Sequence, residues 1–240
     1  MIKLLETTRF RVGNAEYARL NRSFGLSTLR RRHAEVSGTT IRFRFRGKGG
    51  QMEERALVDR RLAAVVRRCQ ELPGQALFQY VDDVGEAHAV NSEDVNDYLR
   101  EAAGTDEFTA KDFRTWAATV LAYRALQEVQ LTEPGKRPGN AVRAAIQRTA
   151  DAIGDTATVT RSSYVHPAVI EAYEAADPPS PMTDRPRPAA GDAQPTRRHE
   201  LEVIRLLRSR RASAPSRAVA ATRSQVRRSP VAGRVRRRSA

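Results

Sequence analysis

Residues 41–46 read Ile-Arg-Phe-Arg-Phe-Arg, and so strict an alternation suits only one backbone. Successive side chains of an extended strand point to opposite faces, so Ile41, Phe43 and Phe45 share one face and Arg42, Arg44 and Arg46 the other. A helix would scatter both sets around its axis. Gly47-Lys48-Gly49-Gly50 follows, a turn rich in residues that accept positive φ, and residues 51–58 supply a return strand. His33 to Val36 offers a third. The early chain is therefore expected to form a small antiparallel sheet with one apolar and one arginine face.

Most of the remaining sequence carries helical signals. Residues 1–13 read as the end of a helix. Asp59 caps a helix whose Leu62, Val65, Val66 and Cys69 form an i, i+3, i+4, i+7 stripe, stopped by Pro73-Gly74. A short strand at Leu77–Val81 turns through Asp82-Asp83-Val84-Gly85. Asn91 or Ser92 opens the next helix. Thr109-x-x-Asp112 resembles a capping box before a long helix reaching about Val129. Asn140 is expected to cap a helix ending at Gly154, and Pro167 to start a short one through Tyr173. The fold class is thus α+β and mainly helical.

The chain has 240 residues and a formal net charge of +14, but the charge is unevenly placed. From Arg205 to Ala240 there are twelve arginines and no acid, which leaves 42 − 12 = 30 bases against 28 acids elsewhere, a balance of +2. Six of the twelve prolines fall between Pro178 and Pro195. This divides the chain into a domain over 1–177, a Pro-rich linker over 178–199, and an Arg-rich tail over 200–240 with too little apolar surface to pack. Within the tail, Leu201, Ile204, Leu206 and Leu207 suit one amphipathic turn or two.

A near-neutral domain with a cationic tail points to a polyanionic partner, nucleic acid before anionic membrane. Cys69 is the only cysteine, which excludes an internal disulfide and fits a reducing compartment. The four histidines, His33, His88, His166 and His199, lack metal-ligand spacing. No apolar run approaches the roughly 20 residues of a membrane span. An intracellular location is expected, with no metal or cofactor.

Four segments concentrate chemistry: Arg11-Val12-Gly13, Gly47-Lys48-Gly49, Lys111-Asp112-Phe113-Arg114-Thr115-Trp116, and Arg161-Ser162-Ser163-Tyr164-Val165-His166-Pro167. Lys48 lies 37 positions after Arg11, and Tyr164 lies 50 after Arg114. In this order and spacing the segments resemble the active site of type IB DNA topoisomerases, over a stretch from about Leu4 to Tyr173. Those enzymes cut one DNA strand through a phosphotyrosine bond, let the duplex unwind, and reseal it.

The resemblance implies the catalytic-domain fold shared by type IB topoisomerases and tyrosine recombinases, and a monomer acting on double-stranded DNA in the cytoplasm, at the nucleoid. It assigns Arg11 and Arg114 to the scissile phosphate, Lys48 to protonation of the leaving 5′ oxygen, and Tyr164 to nucleophilic attack. The chemistry is self-consistent. Guanidinium groups clamp a phosphate bidentately, and a lysine's pKa falls when it is buried or near other cations. Asp155 stands at the fifth position, where the family carries histidine or asparagine, and an ionised aspartate cannot donate a hydrogen bond. Arg42, Arg44 and Arg46 are candidates for the DNA backbone. The family's β-rich N-terminal domain is not in this sequence.

Two rival readings share these residues. Tyrosine recombinases normally carry a histidine three residues before the second arginine, where this chain has Lys111. A non-catalytic DNA-binding remnant would fit the missing domain and Asp155.

Overall fold

A computed structural model describes residues 1–133, 135–175 and 197–213. Helix α1 (Ile2–Thr8) ends at Arg9, and α2 (Ala15–Asn21) is capped by Asn14, whose side chain accepts from the Tyr17 amide. Strands β1 (Ala34–Ser37), β2 (Thr40–Arg46) and β3 (Met52–Val58) form an antiparallel sheet in that order. In its register Phe43 faces Ala34 on one side and Arg55 on the other. The alternation of β2 is realised: Ile41, Phe43 and Phe45 are buried and Arg42, Arg44 and Arg46 exposed. Gly49 and Gly50, at φ 72° and 78°, carry the turn from β2 towards β3.

Asp59 caps α3 (Arg60–Glu71) through the Leu62 amide. A second hairpin, β4 (Gln79–Val81) with β5 (Ala87–Ala89), leads to α4 (Ser92–Ala103), where Asn91 and Asp94 cap each other's backbone amides. Helix α5 (Ala110–Thr132) follows, with the Asp112 carboxylate accepting from the Thr109 amide at 2.8 Å. The next helix, α6 (Pro138–Ile153), begins two residues before the expected Asn140 cap. Pro138 occupies its first turn, where a preset φ helps and the missing N–H costs nothing. Then come α7 (Ala157–Ser163), α8 (Pro167–Glu174) and α9 (Arg197–Ser213).

Two apolar clusters organise these elements. The first joins α1, the three-stranded sheet, α3 and α4 around Leu4, Leu5, Phe43 and Val66. The second joins α5, α6, α8 and α9 around Val120, Val142, Ile153 and Val169. Helix α5 starts in the first cluster at Ala110 and runs through the second, so one rigid rod spans both. The fold is α+β and mainly helical, as the patterning predicts.

Helix α9 corrects the expectation at the C-terminal side. It crosses the boundary placed at residue 200 and is 17 residues long, not a turn or two. Val203 and Leu206 are 0% and 4% exposed against the second cluster, each contributing about 2 kcal/mol by burial. Glu202, also buried, accepts from Arg198 at 3.1 Å and Gln127 at 3.3 Å. Flanking arginines obscured this helix in the sequence. Residues 176–196 and 214–240, which hold the Pro-rich linker and eight of the twelve late arginines, lie outside the described residues. No described helix is long and apolar enough to cross a membrane.

Candidate active site

The site is built where elements end. After α1 the chain reverses at Arg9, a non-glycine residue at φ 60°. That left-handed turn costs about 1 kcal/mol, and Arg114 helps to hold it by donating Nη1–H to the Arg9 carbonyl at 2.7 Å. Arg11 follows, fixed by backbone bonds from the Leu26 amide to its carbonyl and from the Ser27 amide to that of Val12. Arg114 rises from the second turn of α5 and is only 4% exposed. Gly154 ends α6 at φ 63°, a left-handed turn that favours glycine, and a Cβ there would lie 2.8 Å from a Glu53 carboxylate oxygen, the movable end of that side chain.

This turn aims Asp155 between the two guanidinium groups. Its Oδ2 lies 2.6 Å from Arg11 Nη2 and 3.3 Å from Arg114 Nη2. The Gly154 carbonyl accepts from Arg11 at 3.4 Å and from Arg114 at 3.5 Å. Glu53, on β3, adds a second carboxylate 3.8 Å from Arg11 Nη1. The Nε atoms of Arg11 and Arg114 are buried and have no hydrogen-bond partner among the described residues. Burial foremost, then the adjacent Arg11 charge, pushes the Arg114 guanidinium below its usual pKa; Tyr164 and Asp155 oppose the shift.

Tyr164 closes the site at the C-terminal end of α7. Its ring centroid lies 5.1 Å from the Arg114 guanidinium carbon, a cation–π contact. Its amide donates to the Thr160 carbonyl at 3.1 Å. His166 caps α8 by accepting from the Ala168 amide through Nδ1. Four of the five expected residues, Arg11, Arg114, Asp155 and Tyr164, are thereby brought together.

Lys48 stands apart from them, exposed on the β2–β3 turn and in no ion pair among the described residues. The turn is nevertheless tied to the site. Glu53 packs its Cγ against Gly47 and its carboxylate against Gly154, while Arg55 donates to the Ala152 carbonyl at 3.0 Å. Sequence reasoning passed over Glu53 because it alternates on an unremarkable return strand.

It also passed over a basic cleft. Arg44 and Arg46 join Arg19, Arg22, Arg30 and Arg32 around a cavity of about 960 Å³ with no acidic residue among the described residues of its wall. These four extra arginines come from α2 and irregular segments, where no periodicity flags them. Arg30 stacks over the Phe24 ring at 5.4 Å. His33, buried beneath, is pushed down to about 4 by burial first and then by Arg32 and Arg30. Arg42 does not line this cleft.

The structure thus joins a helical body and a small sheet to two arginines on a common carboxylate and a tyrosine packed on one of them. The comparisons give it a family. Residues 1–177 match the model for eukaryotic DNA topoisomerase I, catalytic core, and the chain belongs to that family as a type IB topoisomerase catalytic domain. It is 34% identical over 185 residues to DNA topoisomerase 1B of Acanthamoeba polyphaga mimivirus, covering 72% of this chain and 54% of that protein. It is 25% identical over 170 residues to DNA topoisomerase I of Monkeypox virus and to DNA topoisomerase 1B of Vaccinia virus (strain Copenhagen), covering 70% of this chain and 51% of each. The chain spans about half the length of these curated relatives.

Proposed function

We propose that this protein relaxes supercoiled double-stranded DNA by cutting one strand through a 3′-phosphotyrosine at Tyr164 and resealing it, as a monomer, with its own side chains and without ATP. The carrying observation is the convergence of Arg11 and Arg114 on one carboxylate oxygen beside the Tyr164 ring. A non-bridging phosphate oxygen makes the same demand on two guanidinium groups as Asp155 Oδ2 does here, and the two unpaired Nε–H groups are further donors.

In the proposed reaction the Tyr164 oxygen attacks phosphorus and loses its proton to water. The bond from phosphorus to the 5′ oxygen breaks, and Lys48 gives that oxygen a proton, so the cut strand ends in a 5′ hydroxyl. Resealing reverses each transfer. Arg11 and Arg114 hold the charge of the pentavalent transition state. Lys48, exposed on a glycine turn, would move onto the leaving oxygen when DNA fills the site. Arg44 and Arg46, in the acid-free cleft, and Arg42 nearby on the same face of β2, would carry the duplex backbone.

Plasmid relaxation in EDTA without ATP tests the reading. A ladder of topoisomers is expected from the wild type. Tyr164→Phe, which removes only the phenolic oxygen, should bind DNA normally yet form no covalent adduct when the reaction is stopped with denaturant. Plasmid that is retarded but never relaxed would make the chain a DNA-binding module, and an adduct surviving in Tyr164→Phe would place the nucleophile elsewhere.

A further inference from the structure

We propose that Thr119 is a positioning residue that holds the nucleophile in register with the arginine clamp; this rests on the topoisomerase reading above. Thr119 lies on α5, five residues after Arg114, and is 2% exposed. Its hydroxyl does more than the usual bond back to its own helix. Oγ1 lies 2.8 Å from the Thr115 carbonyl and 3.2 Å from the carbonyl of Tyr164, and it accepts from the His166 amide at 3.1 Å. One side chain therefore grips the peptide groups on both sides of Val165, directly after the nucleophile.

The chemistry makes this grip consequential. Tyr164 sits where α7 stops, with φ −126° and ψ −32°, so the ladder of α7 no longer holds its carbonyl. The carbonyl of Tyr164 and the amide of His166 fall between α7 and α8, where no helix partner is available. From the helix that carries Arg114, Thr119 gives the His166 amide an acceptor and shares its one proton between the carbonyls of Thr115 and Tyr164. The segment that carries the phenol is thus tied to the clamp through one turn and a half of α5 and this hydroxyl, not by loop packing alone. Serine in this place keeps the hydroxyl; valine keeps the shape and leaves the His166 amide without an acceptor.

A misplacement of about 1 Å at a reacting atom costs roughly a hundredfold in rate. The experiment is single-turnover cleavage by the full chain at saturating duplex DNA, with DNA affinity measured separately and melting curves showing each variant folded at the assay temperature. Thr119→Val should slow adduct formation by about tenfold to a hundredfold, with affinity within about twofold of wild type. Thr119→Ser should recover to within about threefold. Valine and serine variants that are equally slow, or a valine variant as fast as wild type, overturn the inference. A wild type that forms no adduct overturns the topoisomerase reading beneath it and is told apart by that control alone.

Discussion

Asp155→Asn is the substitution whose outcome the site geometry constrains most. It keeps the size of the side chain and a carbonyl oxygen but removes the charge that now joins Arg11 at 2.6 Å and Arg114 at 3.3 Å. A phosphate entering the same clamp places a non-bridging oxygen roughly 5 Å from the carboxylate, where two unit charges at an effective dielectric near 20 repel by about 3 kcal/mol. Relieving that repulsion is worth on the order of a hundredfold in rate. The full gain belongs to cleavage at subsaturating DNA, because the bound phosphate is repelled before it reacts; at saturation only the charge added in the transition state counts. An asparagine amide can also donate to the phosphate, which adds to the gain. The opposite effect is expected on stability. Arg114 is almost wholly buried and is deprived of an anionic partner, leaving Glu53 as the one carboxylate described at the clamp, and a decrease of about 1–3 kcal/mol should lower Tm by several degrees. Single-turnover cleavage of a labelled duplex, measured at subsaturating and saturating DNA beside a thermal melt, reads both. Equal cleavage by wild type and Asp155→Asn, with DNA binding intact, would refute the reasoning: the carboxylate would then swing clear when DNA binds.

Lys48→Ala should slow cleavage of ordinary DNA by about a hundredfold or more, but not of a substrate with sulfur in place of the leaving 5′ oxygen. A thiolate needs no proton to depart, so equal slowing of both substrates would deny the acid role. Deleting residues 214–240 removes eight arginines while keeping α9, and should weaken DNA binding and flatten its salt dependence by about 0.9 in slope for each phosphate no longer neutralised; an unchanged slope would exclude the tail from DNA binding. For His33, held down to about 4, the unfolded chain takes up a proton near pH 6.5 before the folded one does. Stability is therefore full above that pH and falls between about 6.5 and 4, by about 2 kcal/mol after allowance for solvent. His33→Gln should lose less over that window, and parallel curves for the two proteins would remove His33 as the cause.

What the sequence made legible follows from which physics repeats along the chain. The β2 alternation, the Asp59 and Asn91 caps and the Gly154 stop are each decided within a few residues, and each is found in the fold. The α3 stripe is found only in part, since Val65 is exposed and Ala63 is buried beside Val66. Helix α9 was underread because its buried positions, Glu202, Val203 and Leu206, include a charge, and what buries them is the second cluster and Gln127 of α5, far away in sequence. Glu53 was missed for a related reason. Its contacts with Arg11, Gly47 and Gly154 join three segments that no local pattern connects.

The candidate site itself lies almost entirely at element ends: the reversal after α1, the stop of α6, the stop of α7 and the β2–β3 turn. Helix and strand periodicity ends where such residues begin, so spacing alone never places Arg11 beside Asp155 across 144 positions. Only the resemblance to a known family set those residues side by side in advance. It marked position 155 as a phosphate donor, whereas the chain holds an acid there that already occupies the clamp. The arginines are therefore preorganised around an anion of the protein's own, and on the proposed reading binding DNA would exchange one anion for another. That exchange predicts a clamp that is rigid before DNA arrives, since Asp155 prevents the mutual repulsion of Arg11 and Arg114 from opening it. It also makes the first contact with phosphate costlier than an empty clamp would, which is the trade that Asp155→Asn measures.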